Sequence, residues 1–260
     1  MDLRRHPLPL RPSPPALMGR VHGGGGAPGV PMGPAIGACL PGGRLPLGVL
    51  HALEPAPGAE VQHGAVVAGF AARVLARIAG TWLWVAAKGD LHAPGLVACG
   101  LDPARLVLAA ARDDAAVLAA METALRGGAF AAVVGEAGRL SRLAARRLQL
   151  ACLRHGCTGL LLHRWPYGRP AQTKVAQAEE ASSRGQSGEQ SSAVTRWRIG
   201  AVASGDIFAP PRWRLELLHA RGGVPGEWIV EAGERDAPDL VCVVAELADP
   251  AAAPQRRRLG

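Results

Sequence analysis

Leu45-Pro-Leu-Gly-Val-Leu-His-Ala-Leu53 runs into Glu54-Pro-Ala-Pro-Gly-Ala-Glu-Val-Gln-His-Gly-Ala65, and that loop opens Ala65-Val-Val-Ala-Gly-Phe-Ala-Ala-Arg-Val-Leu-Ala76. An apolar strand, a Pro/Gly loop and an apolar helix follow the order of a nucleotide-binding phosphate loop. The residues that hold phosphate are missing. Such a loop reads Gly-x-x-x-x-Gly-Lys-Ser/Thr, with the lysine on the β- and γ-phosphates and the hydroxyl on magnesium. Glu54 to Ala65 contains no Lys, Ser or Thr, and two carboxylates, Glu54 and Glu60, stand where the anion would bind. The scaffold of an NTPase is expected here without its chemistry.

Downstream, strands and helices alternate. Strands are expected over Thr81–Ala87, Arg105–Ala109, Phe130–Val134 and Thr158–His163. Between them lie a short helix over Pro94–Cys99 closed by Gly100, a helix over Ala115–Leu125 and one from Ser141 to about His155. Asp113 and Asp114 suit the positive end of the second helix dipole, and Gly127-Gly128 and Gly156 stop the last two. This rhythm predicts an α/β fold with a doubly wound, mostly parallel sheet. Three later strands, Thr195–Ile199, Arg212–Leu218 and Glu227–Glu231, are joined by turns and predict an antiparallel edge. Trp197, Trp213 and Trp228 recur at matching places in them and are expected to share one face, leaving Arg196, Arg198, Arg212 and Arg214 on the other.

Three segments fall outside this core of residues 44–247. Residues 1–43 contain 19 Pro or Gly and no acid after Asp2, and read as a disordered basic arm. Residues 164–192 are polar and read as a mobile loop. Residues 248–260, ending Arg256-Arg-Arg258, read as a disordered basic tail with those three arginines as a partner-docking peptide.

The formal charge is +8, carried by 27 Arg and only two Lys, in a chain rich in Ala, Gly and Pro. Contact with a polyanion is permitted, although a GC-rich genome writes the same bias. Five scattered cysteines without a C-x-x-C pair predict buried thiols in a reducing compartment. Arg73 and Arg77 interrupt the longest apolar stretch, and no apolar run follows Arg4 and Arg5, so a cytoplasmic protein without membrane contact is expected. His51, His63 and His92 lack acid or thiol neighbours at ligand spacing, so no metal is expected, and Ser141 lies in no nucleophile elbow.

From Ala137 to Ala178 there is no acid but seven Arg and one Lys. Arg139, Arg142 and Arg146 follow an i, i+3, i+7 spacing that puts them on one helical face, and Arg147 and Arg154 widen the charge. Leu140, Ala144, Leu148 and Ala151 form the expected buried stripe. With Arg164, Arg169 and Lys174 these cations are candidate phosphate contacts, and Trp165 or Tyr167 would stack on a base.

The landmarks together resemble the RecA core, and more closely the ImuA family of the bacterial SOS mutagenesis cassette. The carrying residues are Leu45-Pro-Leu-Gly48, Ala93-Pro-Gly-Leu96, Gly100-Leu-Asp-Pro-Ala-Arg-Leu106, Ala144-Ala-Arg-Arg-Leu-Gln-Leu150, Thr195-Arg-Trp-Arg198, and Arg212-Trp-Arg-Leu-Glu-Leu-Leu218 through Arg221 to Glu231. The resemblance covers residues 36–232. Relative to active RecA proteins, the glutamate that polarises water falls at Lys88 and the magnesium-directing aspartate at Gly135, next to Glu136. It implies no catalytic residues and no cofactor, and a translesion-synthesis role. The implied partners are an ImuB polymerase-like protein, an error-prone DNA polymerase III alpha-type subunit and RecA. It also implies that the 164–192 loop corresponds to a DNA-contacting loop, and that single-stranded DNA is the ligand of the cations from Arg139 to Lys174. A SulA-type inhibitor of the division protein FtsZ and a divergent ATPase are the alternatives.

Overall fold

The computed structural model describes residues 28–57, 60–87, 91–138, 140–163, 192–203, 210–233 and 237–248. Among the described residues, eleven strands and five α-helices run in the order β1 Gly29–Pro31, α1 Pro34–Gly37, β2 Arg44–Pro46, β3 Leu50–Pro55, α2 Glu60–Ala76, β4 Trp82–Ala86, α3 Ala93–Ala98, β5 Leu106–Ala110, α4 Asp114–Gly127, β6 Ala132–Glu136, α5 Arg142–His155, β7 Thr158–Leu162, β8 Thr195–Val202, β9 Arg212–Ala220, β10 Gly226–Ala232 and β11 Val241–Ala248.

Nine strands make one sheet in the order β11-β10-β9-β8-β3-β7-β6-β4-β5. From β8 to β5 the neighbours are parallel; β8 to β11 are antiparallel to one another. The expected α/β class and antiparallel edge are both present, with β11 as a fourth edge strand that the sequence reading leaves out.

Local chemistry fixes the helix ends. The Asp113 carboxylate accepts from the Ala116 amide at 2.8 Å and the Ser141 hydroxyl from the Ala144 amide at 3.2 Å. Gly128 and Gly156 close the same helices in the left-handed conformation, at φ 65° and 66°. The phosphate-loop region differs from expectation in two ways. Helix α2 begins at Glu60, so the connection is shorter than the sequence suggests. The single strand expected over Leu45–Leu53 is split at Gly48, whose φ of 71° turns the chain so that β2 pairs with β1 in a separate two-stranded sheet.

That small sheet corrects the reading of residues 1–43. Residues 28–43 are folded, because Val30, Met32, Ile36, Cys39 and Leu40 are buried in the main core. A glycine in the β9–β10 turn permits their close approach: a Cβ on Gly223 would lie 2.2 Å from the Cys39 carbonyl oxygen, which accepts from the Val224 amide at 3.1 Å. Residues 1–27, most of the 164–192 loop and residues 249–260 lie outside the described residues.

Two cores cover the sheet. On one face α2 packs Val67, Phe70, Ala71, Val74 and Leu75 against Leu53, Trp84, Val134 and Leu160, continuing under the late strands to Trp197, Trp213 and Trp228. On the other, α4 and α5 pack Val117, Met121, Leu148 and Cys152 against Leu50, Val85, Val133 and Leu161. The three late tryptophans do share a face, as expected. None is a register partner of another, however, and it is Phe70 that meets Trp197 at 6.1 Å and Trp213 at 6.5 Å between ring centroids. Cys39, Cys152 and Cys157 are buried, whereas Cys99 is half-buried and Cys242 is exposed, so burial holds for three of the five thiols. Among the described residues no helix is long and apolar enough to cross a membrane.

Candidate functional site

In open α/β sheets ligands bind beyond the carboxyl ends of the parallel strands. Here those ends carry Glu54 on β3, Glu136 on β6 and His163 just after β7. Glu54 is paired on both oxygens. Its Oε2 accepts from Arg196 Nε and Nη2 at 3.0 and 2.8 Å, and its Oε1 meets Arg198 Nε and Nη2 at 3.0 and 2.9 Å. Arg196 and Arg198 are two residues apart on β8, which runs beside β3, so both forks reach the same face. Arg198 also donates to Glu216 at 2.9 Å, Arg212 pairs with Glu231 at 2.8 Å, and Arg214 pairs with Glu227. Glu216 and Glu227 are direct cross-strand partners, a like-charge contact that Arg198 and Arg214 offset. The four arginines therefore do lie on the face away from the tryptophans, but each is neutralised inside the sheet.

The neighbouring positions are also committed. Glu136 is buried and accepts from the Trp84 indole N–H at 2.6 Å. The backbone N–H of Gly138 donates to Asp114 at 2.9 Å. Burial lowers the pKa of His163, with Glu54 opposing that shift and Arg196 adding to it. At Gly135, the position that the resemblance compares with a metal-directing aspartate, a Cβ would lie 2.7 Å from Met121 Sδ and would have to displace that buried side chain. Beyond Glu54 a cleft of about 440 Å³ is lined by Ala56, Pro57 and the paired Arg198, Arg214 and Glu216. A cavity of about 620 Å³ lies beside Arg73 and Arg77, whose donors bind the carbonyls of Gly233, Ala237, Asp239 and Leu240. Those bonds tie the end of α2 to the segment entering β11. Lys88 and the side chains of Glu60 and His63 lie outside the described residues; His51 is buried, and His92 caps α3 by accepting from the Gly95 amide at 3.2 Å.

Glu54→Ala leaves two half-buried guanidiniums facing each other. It is expected to lower stability by about 2 kcal/mol, discounted for the partial exposure of the arginines. A urea midpoint measurement reads the loss. Changing Arg196 to Met in the Glu54→Ala background, which leaves Arg198 on Glu216, should recover part of it, and an equal loss in the double variant would refute the electrostatic account.

Of the cations assigned to DNA, the structure brings together Arg142, Arg146, Arg147 and Arg154 on α5, all exposed. Arg147 is held by Glu122 of α4, Nη2 to Oε2 at 2.7 Å, and Arg142 also has a polar or electrostatic partner. Because Ser141 caps the helix, Arg139 precedes it, and the i, i+3, i+7 face reduces to Arg142 and Arg146. The buried stripe is Ala145, Leu148, Gln149, Ala151 and Cys152, rotated from the one expected: Leu140 precedes the helix and Ala144 is only half-buried. Arg139, Arg164, Arg169, Lys174, Arg256, Arg257 and Arg258 lie outside the described residues. Two features escape the sequence reading: the internal pairing of the Arg196–Arg214 ladder, and the exposure of Leu143, Leu150 and Leu153 beside the α5 arginines. The rotated stripe is the signal that would have exposed the leucines.

No protein-family model matches the chain. Protein ImuA of Caulobacter vibrioides, in each of two strains, is 43% identical to it over 239 residues, covering 87% of this chain and 93% of that protein. At that identity and coverage, the chain belongs to the ImuA family.

Proposed function

We propose that this chain is a non-catalytic RecA-like accessory of DNA-damage-induced translesion synthesis, part of the ImuA/ImuB mutagenesis system and working by binding rather than nucleotide turnover. Its partners in this reading are an ImuB-type polymerase-like subunit, an error-prone polymerase III alpha-type subunit and RecA, with the Arg256–Arg258 tail as one docking element. Single-stranded DNA contact, expected on sequence grounds at Arg139, Arg142, Arg146, Arg147, Arg154, Arg164, Arg169 and Lys174, is kept here for Arg139, Arg164, Arg169 and Lys174, because the four α5 arginines share their helix with exposed leucines.

The observation that carries the reading is the Glu54 clamp. A carboxylate fixed by two bidentate arginines stands at the end of β3, where a phosphate would need a cation and an open cradle. Phosphoryl transfer needs charge stabilisation at that point, and here the local cations are spent on an internal acid.

The full chain titrated with ATP and magnesium by calorimetry is expected to give no saturable heat, whereas micromolar binding would restore the ATPase alternative. In a pull-down, the ImuB-type subunit should co-purify with the chain and FtsZ should not. The reverse result would replace the mutagenesis reading with the division-inhibitor one.

A further inference from the structure

Helix α5 carries a second, outward stripe that no element among the described residues covers. Leu143, Leu150 and Leu153 are 68%, 55% and 55% exposed. Their i, i+7, i+10 spacing sets them along one side of the helix, over about 15 Å at 1.5 Å per residue. Isolated exposed leucines are ordinary, but these are three of the nine large hydrophobics exposed among the described residues, aligned on one helix. Arg146 sits at the gap in the stripe and Arg154 beside its end, both exposed, while Arg147 on the flank is held by Glu122.

We propose that this face of α5 docks an acidic amphipathic helix of a partner protein. The leucine stripe would seat the partner's apolar side chains, and Arg146 and Arg154 would pair with its flanking carboxylates. Charge chooses the occupant. A second copy would bring the same arginines together, because no acid occurs between Ala137 and Ala178. The chain's own acidic stretch around Glu179, Glu180 and Glu189 has no Leu, Ile, Met or Phe to fill the stripe, and residues 1–27 have leucines but only Asp2 as an acid. Nucleic acid would use the arginines yet gain nothing from three leucines, since phosphate contact needs only cations. The proposal rests on the accessory role above only in requiring a protein partner.

The probe is a fluorescein-labelled 21-residue synthetic peptide with Leu at heptad positions a and d and Glu at e and g. It is titrated by anisotropy into the full chain. Saturable binding is expected that weakens at least tenfold in Leu143→Ser/Leu150→Ser and in Arg146→Glu/Arg154→Glu. A scrambled peptide of the same composition should not bind. All four positions are exposed, and circular dichroism melts check that the variants fold; Leu150→Ser alone provides a milder variant. Absence of binding, or binding unchanged by the leucine variants, overturns the proposal. So does a labelled oligothymidine that binds through Arg146 and Arg154 independently of the leucines, which assigns the face to nucleic acid. A concentration-dependent dimer abolished by Leu143→Ser/Leu150→Ser would overturn it in favour of self-association. If the peptide fails while the ImuB-type subunit still co-purifies, this face alone is withdrawn and the accessory role stands.

Discussion

Phe70→Ala is expected to lower the stability of the chain by about 3–5 kcal/mol, the range for emptying a buried aromatic site. Phe70 is fully buried on α2 and its ring meets Trp197 on β8 and Trp213 on β9. Helix α2 otherwise covers the parallel strands, so this ring joins the two halves of a sheet whose hydrogen-bond pattern changes at β8. The tryptophans are large and held by their own strands, so they cannot collapse fully into the gap, and the loss should fall at the high end. Phe70→Leu keeps most of the volume and should lose under about 2 kcal/mol. Urea unfolding followed by circular dichroism gives both values. A loss below about 1 kcal/mol for Phe70→Ala would show that the late strands are not anchored through this contact.

What could be read from sequence is what local chemistry decides. Helices α4 and α5 are legible because Asp113, Ser141, Gly128 and Gly156 punctuate them, and the parallel strands because each is a short apolar run between such signals. The strap at residues 28–43 was not legible: its Pro and Gly content matches a disordered arm, and only its docking against distant strands buries Met32 and Ile36. Strand β11 depends likewise on pairing with β10, through two register irregularities that leave no local trace. At the site, the missing phosphate-loop lysine was visible, but the fate of Glu54 was not. Its partners lie 142 and 144 residues away, joined to it only because β8 returns beside β3. The same non-local pairing makes Arg196 and Arg198 internal counter-ions. On α5 the composition pointed to charge, and only the rotation of the buried stripe showed that leucines share the outward face.

The junction of β3 and β8 also sets an expected acid sensitivity. His51 is completely buried there, with Nδ1 2.7 Å from the Thr195 hydroxyl and Nε2 2.9 Å from the Pro46 carbonyl oxygen. The Trp197 indole N–H donates to the same hydroxyl oxygen at 2.8 Å. A neutral imidazole satisfies the chain: Nε2–H donates to Pro46, and Nδ1 accepts the Thr195 hydroxyl hydrogen while that oxygen accepts from Trp197. A second ring proton would leave the Thr195 hydrogen without its acceptor and place a charge in the core. Burial accordingly pushes the His51 pKa down from 6.5 to about 4, the Pro46 carbonyl opposing it in part. Below the unfolded value the unfolded chain binds this proton and the folded chain does not, so stability is full above that value. It falls as the pH drops toward about 4. The expected loss is about 2 kcal/mol between pH 7.5 and pH 5, and about 3 kcal/mol once the folded state also protonates. His163 and His219, also held down chiefly by burial, act in the same direction. His51→Gln keeps a donor and an acceptor without a titrating ring; it should be less stable at neutral pH but lose distinctly less between pH 7.5 and pH 5. Urea midpoints for wild type and His51→Gln at the two pH values decide the matter, because parallel losses would mean that His51 does not set the acid limit of the fold.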